Sequence, residues 1–544
     1  MTSAVDRRVE PVGQRKASVL GGRFGLATSN PTMSMVGSQV LSAGGNAVDA
    51  SLAMAAVGWM VLPGQCGVGG DLFAVVREPD GEVWTVGGSG LGPDGGTPDF
   101  YRDRGHRAIP VTGALAVAVP GALAALRALH AHGASRSLEE LFLPAVDLGR
   151  RGFACTAKTR NDIAEHAGAL LADPGTRAAF LPRGAVPDVG DRLYQLDLAE
   201  FLLLIAADKE GFYDGEFAER AVASLSSAGA PFSGEEWGAA GAVEVAPAIS
   251  GRYGDATVHQ TPLPTPGWMV LQQAVICDGV LRGREQLDAT SVHWLAEAAR
   301  QAFRDRFATC GSDTDTWART LDPHAVERAR REISALRTSV CGPARVDGDT
   351  TSTVCVDEEG RSVSLIHSLA FTFGARVTVP GTGVVLNNRL GRGAYLIDGH
   401  PNEVRPGRKP LHTLNAWVAD HPERGLLHVG NCPGGDGQVQ WNMQVISHLI
   451  DHGSDPQDAV SLPRVTVFPG SDADVVGQPD ELRCEVGVPQ RTLDELAAWG
   501  HRVTRVPVQV GGPGGSAMVV SSDHDHGVLR VGADPRMEGT ALAI

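Results

Sequence analysis

Two adjacent threonines, Thr350 and Thr351, follow the polar pair Gly348-Asp349 and precede an alternating, β-branched run in the stretch GDTTSTVCVDEEGRSVS. A threonine hydroxyl in mid-chain is a poor nucleophile, because no neighbour in this stretch can accept its proton. At a new amino terminus, the α-amine, with a pKa of about 7.7–8.0, can accept that proton near neutral pH. Cleavage before Thr350 would therefore create a nucleophile and its base in one residue. The alternative is a threonine pair at the edge of a strand, where threonine is common.

The chain could make this cut itself if the fold aimed the Thr350 hydroxyl at the carbonyl of Asp349. Attack would convert the peptide into an ester, which water would then hydrolyse. On these residues alone we prefer the threonine pair at the edge of a strand, since threonine is simply common in strands.

The segment GLGPDG, residues 90–95, matches the G-x-G-x-x-G pattern of dinucleotide-binding loops. Pro93 removes one of the backbone donors that would face a pyrophosphate, and Gly-Thr-Pro follows where a helix should begin. We therefore interpret this segment as a loop.

The segment GNCPG, residues 430–434, follows the apolar run GLLHV and imitates a nucleophile elbow with Cys432 as the nucleophile. That geometry takes an oxyanion donor from the next residue, and Pro433 has no N–H to give. We interpret Cys432 as a small residue in a tight turn. The pair Gly434-Gly435 keeps its N–H groups and is itself a candidate oxyanion hole.

The elements that must position these groups alternate between Ala-rich helical stretches and short strands of Val, Ile and Leu, with Gly and Pro at the joints. Helices are predicted in GGNAVDASLAMAAVGWMV from Gly44 and in ALAALRALHAHG from Ala122. The segment LFAVVREPDGEVWTVGG from Leu72 predicts two strands around an Asp-Gly turn. The class is α/β or α+β. Neither a repeat nor a composition shift marks a domain boundary, so one large domain is consistent with the sequence.

Composition narrows the class of protein and of partner. The chain has 544 residues, 43% of them hydrophobic, and a formal net charge of −16. This describes a globular protein with a large core, and it argues against a nucleic-acid partner, which requires a basic surface. Without a signal-peptide core or a membrane-length apolar run, the sequence predicts a cytoplasmic protein with no membrane partner. The eight cysteines form no C-x-x-C pair, which favours reduced thiols over a disulfide framework or a zinc site.

Several motifs occur in the order expected for one enzyme family. The first part of the chain contains AGGNAVDAS, GVGGDLF, VPG, PAVDLGRRGF, GFYDGEFAE and HWLAEAARQAFRDR. The nucleophile segment DTTSTVCVDEEGRSVS follows, and then GTGVVLNNRLG, RPGRKPLHTL, PGG, LPRV and ADPRMEG. From about Gly22 to the C-terminus, the chain resembles a divergent member of the γ-glutamyltransferase (γ-glutamyltranspeptidase) family of N-terminal nucleophile hydrolases.

The resemblance implies an α+β fold, a four-layer αββα sandwich formed jointly by two chains after self-cleavage between Asp349 and Thr350. Residues 1–349 would form the large subunit and residues 350–544 the small subunit, within one intertwined structural domain. The implied partners are a small-molecule acidic acyl substrate and the chain's own cleaved subunit, with a dimer of such heterodimers as an open alternative. No metal or organic cofactor is needed.

The catalytic residues implied by the resemblance are mostly present. Thr350 stands in the nucleophile position, and Ser368 stands where the family has a second hydroxyl that assists it. Gly434 and Gly435 match the glycines of the family's oxyanion hole. The catalytic set that the resemblance implies is therefore Thr350, Ser368, Gly434 and Gly435.

The substrate-binding residues differ from the family pattern. Ser89 replaces the arginine that holds the glutamyl α-carboxylate, and Arg392 replaces the acidic residue that holds the α-amino group. Arg389 replaces a neighbouring glutamine, and Ala370 replaces an asparagine near the nucleophile. An ammonium group facing Arg392 would be repelled, so we expect the chain to reject γ-glutamyl substrates. The alternative is that both arginines lie at the surface.

His412 and Thr413 occupy the positions of the family's Ser-Ser pair, with Thr413 matching the second residue. This His-Thr-Leu version is similar to that of cephalosporin-acylase-like and amidohydrolase-like relatives. We count both residues as candidate substrate-binding groups, although His412 could equally be a structural histidine.

The leading hypothesis is an autoprocessed threonine hydrolase that cleaves an amide or related acyl bond of a small acidic substrate, with an arginine gripping the acyl carboxylate. We also expect self-cleavage to be largely independent of Arg392. One alternative is a carbon–carbon bond hydrolase acting next to an oxalyl-like group in antibiotic biosynthesis, as known for some relatives. Another is a processing-deficient homologue with a binding or scaffold role, because the family asparagine is lost at Ala370.

Overall fold

The computed structural model describes residues 17–209, 211–243, 245–334, 337–338, 349–468, 480–508 and 515–544. Gly348, the residue before the predicted cleavage pair, lies outside the described residues. Asp349 and Thr350 both lie in the described part of the chain, at the start of a strand.

Two large antiparallel sheets form the centre of the molecule. The first, called sheet I, has seven described strands in the spatial order Val19–Gly21, Val528–Ala533, Met518–Asp523, Gly425–Asn431, Ala416–His421, Ala256–Gln260 and Ile249–Tyr253. The second, called sheet II, also has seven described strands, in the order Thr540–Ala543, Gly25–Thr28, Asp349–Val356, Ser362–Ala370, Asp71–Arg77, Val83–Gly88 and Val245–Pro247.

Two smaller sheets lie outside this pair. One contains Val465–Phe468, Glu481–Glu485 and Val503–Val506, and the other contains Phe153–Ala154 and Arg192–Leu193. The α-helices of the described residues are Pro31–Ser42, Ala47–Val61, Pro98–Arg102, Ala122–Gly133, Leu138–Arg151, Ala157–Ala172, Pro174–Phe180, Leu196–Ala206, Glu216–Ser227, Glu235–Ala240, Gly267–Cys277, Ala289–Thr309, Pro323–Ile333, Arg389–Gly393, Gly437–Ile450, Pro456–Ser461 and Gln490–Ala498. Short 3-10 helices span Ala114–Ala116 and Thr316–Leu321.

The two sheets pack face to face and are covered by helices on both outer sides. Phe73 and Ile366 of sheet II contact a common apolar cluster with Val429 and Met518 of sheet I. A second cluster joins the other face of sheet II to the helices of the first half of the chain, including Ala47–Val61. A third joins the other face of sheet I to helices such as Gly437–Ile450. These layers confirm the predicted αββα sandwich, because each sheet buries both of its faces.

Segments from both sides of residue 349 contribute strands to both sheets. In sheet II, Asp349–Val356 lies between Gly25–Thr28 and Ser362–Ala370, with Thr353 paired to Thr28. In sheet I, Ala416–His421 pairs with Ala256–Gln260. The two subunit segments predicted from the sequence, residues 1–349 and 350–544, therefore share their sheets in the uncut chain.

Local sequence explains the elements that were predicted. The helix Ala47–Val61 begins after Asn46, whose side chain accepts from the Asp49 N–H while the Asp49 carboxylate accepts from the Asn46 N–H. The hairpin from residue 72 is confirmed, with strands Asp71–Arg77 and Val83–Gly88. The segment at residues 90–95 is a loop, as predicted. Among the described residues, no helix is long and apolar enough to cross a bilayer.

Candidate active site

Thr350 lies at the start of a central strand of sheet II, opposite an irregularity in the pairing. Asp349 pairs with Ala370 and Thr351 pairs with His367, so the partner strand has one extra residue where Thr350 stands. The Thr350 hydroxyl donates to the Ser368 hydroxyl at 3.3 Å, and both side chains are buried. The two hydroxyls predicted to act together are therefore in contact.

Gln65, in the loop after the helix Ala47–Val61, contacts both of the strands that carry these hydroxyls. Its side-chain Oε1 accepts from the Thr351 hydroxyl at 2.7 Å, and its backbone carbonyl accepts from the Leu369 N–H at 3.0 Å. These contacts hold the strand with Thr350 and the strand with Ser368 from one residue. Gln65 was not predicted from the sequence, because no local pattern marks a glutamine as a bridge between strands.

The short helix Arg389–Gly393 and its preceding residue Asn388 hold the end of the strand Ser362–Ala370. The Asn388 side chain accepts from the Phe371 N–H at 3.0 Å, and its backbone N–H donates to Leu369 at 3.1 Å. Arg392 Nη1 donates to the Ala370 carbonyl at 2.7 Å, with its guanidinium 4.5 Å from the Phe371 ring centre. Ala370 N–H donates to Ser368 Oγ at 2.8 Å.

Arg389 reaches in another direction, to Asp71 on the strand beside Ser368. Arg389 Nε donates to the Asp71 carboxylate at 2.9 Å, and both side chains are completely buried. Asp71 is paired in register with Ser368. Burial raises the pKa of Asp71, while the Arg389 guanidinium opposes that rise.

The structure excludes a surface position for Arg389 and Arg392, and it adds Asp71 to the candidate site. Arg389 is 0% exposed and Arg392 is 3% exposed, so the alternative that they lie at the surface is wrong. Asp71 was missed, although a single acidic residue directly before the apolar run LFAVV in GVGGDLF is a signal for a buried charged partner.

Ser89 and His412 form a second polar contact near these cations. His412 Nε2 lies 2.8 Å from Ser89 Oγ, and both side chains are buried. Burial and the nearby charges of Arg389, Arg306, Lys409 and Arg392 hold the pKa of His412 well below its usual value, so its ring is neutral at neutral pH.

Two polar atoms here lack partners among the described residues. They are His412 Nδ1 and the hydroxyl of the adjacent Thr413, and both are buried. Unsatisfied buried polar atoms are costly and rare, and a substrate that supplies the missing partner would explain both of them. His412 therefore has a partner at Nε2 and, among the described residues, none at Nδ1, so it stays a candidate substrate-binding group.

The turn at Gly434 and Gly435 follows the strand Gly425–Asn431 and precedes the helix Gly437–Ile450. Both glycines have positive φ, 129° and 55°, and a Cβ at Gly434 would lie 2.3 Å from the Trp441 ring. Among the residues that the structure describes, no acceptor is found for either N–H. Asn431 connects this turn to the strand Asp349–Val356, because its Nδ2 donates to the Thr353 carbonyl at 3.1 Å.

Cys432 is unsuited to act as a nucleophile in this turn. Its thiol is completely buried, and burial raises its pKa to about 11. The reactive form of cysteine is the thiolate, which is scarce at neutral pH with such a pKa. The interpretation of Cys432 as a small residue in a tight turn agrees with this environment.

The sandwich of two antiparallel sheets between helical layers, with a threonine at the start of a central strand, is the architecture of the N-terminal nucleophile hydrolases. Comparison with known sequences gives the family within that class. The chain belongs to the γ-glutamyltransferase family, since the model of the Gamma-glutamyltranspeptidase family matches residues 33–544. It is therefore an enzyme, and a divergent member of that family.

Similar proteins cover nearly the whole chain. The glutathione hydrolase-like YwrD proenzyme of Bacillus subtilis (strain 168) is 31% identical, over 97% of this chain and 99% of the relative. The acylase ACY 1 proenzyme of Pseudomonas sp. (strain V22) is also 31% identical, over 99% and 96%. The solved structure of a cephalosporin acylase from Bacillus halodurans has a TM-score of 0.90 and 27% identity, over 100% and 99% of the two chains.

Proposed function

We propose that this chain is a proenzyme that cuts itself between Asp349 and Thr350, and that the freed Thr350 hydrolyses an amide or related acyl bond of a small acidic substrate. The observation that carries the proposal is the contact between the buried Thr350 and Ser368 hydroxyls at 3.3 Å, at the irregular point of a central strand. The proenzyme names of the similar proteins support it.

In self-cleavage, Thr350 Oγ1 attacks the carbonyl carbon of Asp349. The bond from that carbon to the Thr350 nitrogen breaks, an ester forms, and the hydroxyl proton passes to the freed amine. Water then hydrolyses the ester, giving a carboxylate on Asp349 and an amino terminus on Thr350. Ser368 contributes by fixing the direction of the Thr350 hydroxyl.

In turnover, the Thr350 amine takes the hydroxyl proton as the oxygen attacks the substrate carbonyl. The N–H groups of Gly434 and Gly435 stabilise the negative charge on the carbonyl oxygen, next to the positive end of the helix Gly437–Ile450. The amine gives its proton to the leaving nitrogen. Water, deprotonated by the same amine, resolves the acyl-enzyme.

Positive charge around the site supports an acidic acyl group without an α-amine. Arg389, Arg392 and Lys409 all lie close enough to depress the pKa of His412, with Asp71 as the buried acidic partner of Arg389. A carboxylate would be attracted to this environment, whereas an ammonium group would be repelled. The free His412 Nδ1 and Thr413 hydroxyl are further groups that the substrate could satisfy.

Processing is tested by purifying the wild-type protein and sequencing the termini of its fragments. We expect two bands, with the smaller one beginning at Thr350. Thr350→Ala should stay whole, and Thr350→Ser should retain some cleavage because it keeps a hydroxyl. A wild type that stays whole yet turns over substrate would refute the mechanism that uses the terminal amine. A wild type that stays whole and inactive would favour the scaffold alternative.

Specificity is tested with two anilides that differ in one group. Glutaryl anilide is γ-glutamyl anilide without its α-amine, so the pair isolates the effect of the ammonium. The two compounds differ in one charged group, and one charge-assisted contact is worth about 1.5–3 kcal/mol, which corresponds to about one to two powers of ten in kcat/KM. We expect the glutaryl compound to be the better substrate. Equal or faster release from the γ-glutamyl compound would refute the proposed substrate class.

A further inference from the structure

Ala370 has a backbone conformation that is unusual for a residue with a side chain. It ends the strand Ser362–Ala370, is completely buried, and has a φ of +86°. Positive φ brings the Cβ of an L-residue close to its own backbone, so such residues persist only where their surroundings hold them. Ala370 is paired with Asp349, the residue before Thr350, so the contacts that hold Ala370 act next to the proposed nucleophile.

The peptide group between Ala370 and Phe371 is held at both ends. Arg392 Nη1 donates to its carbonyl oxygen at 2.7 Å, and the Asn388 side chain accepts from its N–H at 3.0 Å. Rotation of this peptide toward an extended conformation would break both contacts. The cation of Arg392, which also packs over the Phe371 ring, makes the stronger of the two bonds because it is charged.

Ala370 connects this clamp to the nucleophile through its own N–H. That N–H donates to Ser368 Oγ at 2.8 Å, and the same oxygen accepts from the Thr350 hydroxyl at 3.3 Å. The bond from the Ala370 N–H fixes the position of Ser368 Oγ, so that this oxygen can accept from the Thr350 hydroxyl. If Ala370 relaxed, its N–H would turn away and Ser368 Oγ would lose the donor that orients it toward Thr350.

We propose that Arg392 is a positioning residue, which holds the Thr350 hydroxyl in its reactive direction through Ala370 and Ser368. The inference rests on the proposed role of Thr350 in self-cleavage. It replaces the expectation that self-cleavage is largely independent of Arg392, because the contact with the Ala370 carbonyl exists in the uncut chain, before any substrate binds.

The positioning role and a role in binding substrate predict different measurements. A residue that only grips a substrate carboxylate changes KM and leaves self-cleavage alone, because self-cleavage uses water but no acyl substrate. A residue that positions Thr350 slows self-cleavage and lowers kcat, including for substrates without a carboxylate. Self-cleavage is therefore the decisive readout.

The experiment measures the first-order rate of self-cleavage after a pulse of synthesis at 25 °C, on gels, for Arg392→Gln and Arg392→Lys. We expect Arg392→Gln to be at least tenfold slower than wild type, as the loss of a charge-assisted bond implies. Arg392→Lys keeps a charged donor and should be intermediate. Once cut, Arg392→Gln should show a kcat lowered at least tenfold for an acyl anilide without a carboxylate, with KM within about twofold of wild type.

A second substitution tests the route through Ala370. Glycine adopts positive φ without the penalty of a side chain, so Ala370→Gly should reduce the need for the clamp. We expect the double variant Ala370→Gly/Arg392→Gln to cut several-fold faster than Arg392→Gln alone. Slow cleavage that Ala370→Gly does not accelerate would overturn the inference.

The matched control is Arg330→Gln, which removes another arginine that donates to backbone carbonyls, here Ile276 and Val275 of a helix on the outer side of sheet I. It should cut at the wild-type rate, and equal slowing in this control would overturn the inference by showing a general loss of stability. A wild type that is cut, with Arg392→Gln cut equally fast, would overturn this inference alone. A wild type that stays whole would overturn the proposed function and this inference with it.

Discussion

Replacement of Asp71 by asparagine should destabilise the protein strongly, because Asp71 is a buried counter-ion of Arg389. The two side chains are completely buried and joined by a bond of 2.9 Å. Asparagine retains an oxygen that can accept the same bond but removes the negative charge. Breaking a buried ion pair by removing one partner costs about 3–5 kcal/mol. We therefore expect Asp71→Asn to lower the free energy of unfolding by about 3 kcal/mol, the low end of that range, and Asp71→Leu to lower it by about 5 kcal/mol.

The measurement is a urea titration followed by tryptophan fluorescence, with the free energy of unfolding extrapolated linearly to water. All variants carry Thr350→Ala, so that each protein remains one chain and the comparison is between unbroken molecules. The control is Glu358→Gln at the exposed pair with Arg23, which should leave the unfolding free energy nearly unchanged since surface ion pairs contribute little.

A double variant, Asp71→Leu with Arg389→Met, separates the effect of an uncompensated buried charge from the effect of changed side-chain packing. Replacing both partners by apolar residues removes the uncompensated charge, so the double variant should be more stable than Asp71→Leu alone. If the unfolding free energy of Asp71→Asn lies within about 1 kcal/mol of that of its parent, Asp71 is not needed to compensate the buried charge of Arg389 and the reasoning is refuted. A double variant that is less stable than Asp71→Leu would refute it as well.

Three further outcomes follow from single residues. Gly434→Ala should lower kcat at least tenfold, measured with the anilide substrates, because its Cβ would lie 2.3 Å from the Trp441 ring and displace the oxyanion donors; an unchanged kcat would remove this turn from the mechanism. Cys432→Ala should retain activity, since its thiol has a pKa of about 11; complete loss in a folded variant would contradict its passive role. Burial lowers the pKa of His367 to about 3, against about 6.5 in the unfolded chain. Its contribution to stability is thus present above about pH 6.5 and is lost as the pH falls toward 3, by about 2 kcal/mol at pH 5. His367→Gln should lose less stability between pH 7 and pH 5 in urea titrations, and an identical loss would contradict this sign.

The elements that could be predicted from the sequence are those encoded by neighbouring residues. The capping pair Asn46 and Asp49 lies within one turn of its helix, and the hairpin from residue 72 contains its own Asp-Gly turn. The order of strands in sheet II could not be read in this way. Gly25–Thr28 pairs with Asp349–Val356 across more than 300 residues of chain, and no local pattern specifies such a partner.

The candidate site shows the same division. Thr350 and Ser368 were identified from the nucleophile segment and its resemblance to a family, and the structure brings their hydroxyls together. The environment of Arg392 was not predictable, because its contact depends on the positive φ of Ala370, a residue with no sequence preference for that conformation. Arg389 was counted as a substrate residue, and its bond to Asp71 depends on two segments 318 residues apart.

The sharing of sheet II between the two sides of residue 349 makes the proposed self-cleavage depend on the folding of the whole chain. The Thr350 strand is held between Gly25–Thr28 and Ser362–Ala370, so the reactive arrangement exists only after strands distant in the chain have met. A chain that has been cut must therefore have formed its central sheet at some earlier time. The cut also removes the connection between the halves, so a denatured mature enzyme would refold in a reaction between two molecules, at a rate that depends on concentration. Synthesis as one chain makes the first folding reaction independent of concentration. In a pulse of synthesis, the ratio of cut to uncut chain would then measure the fraction of molecules that has folded, without any added probe.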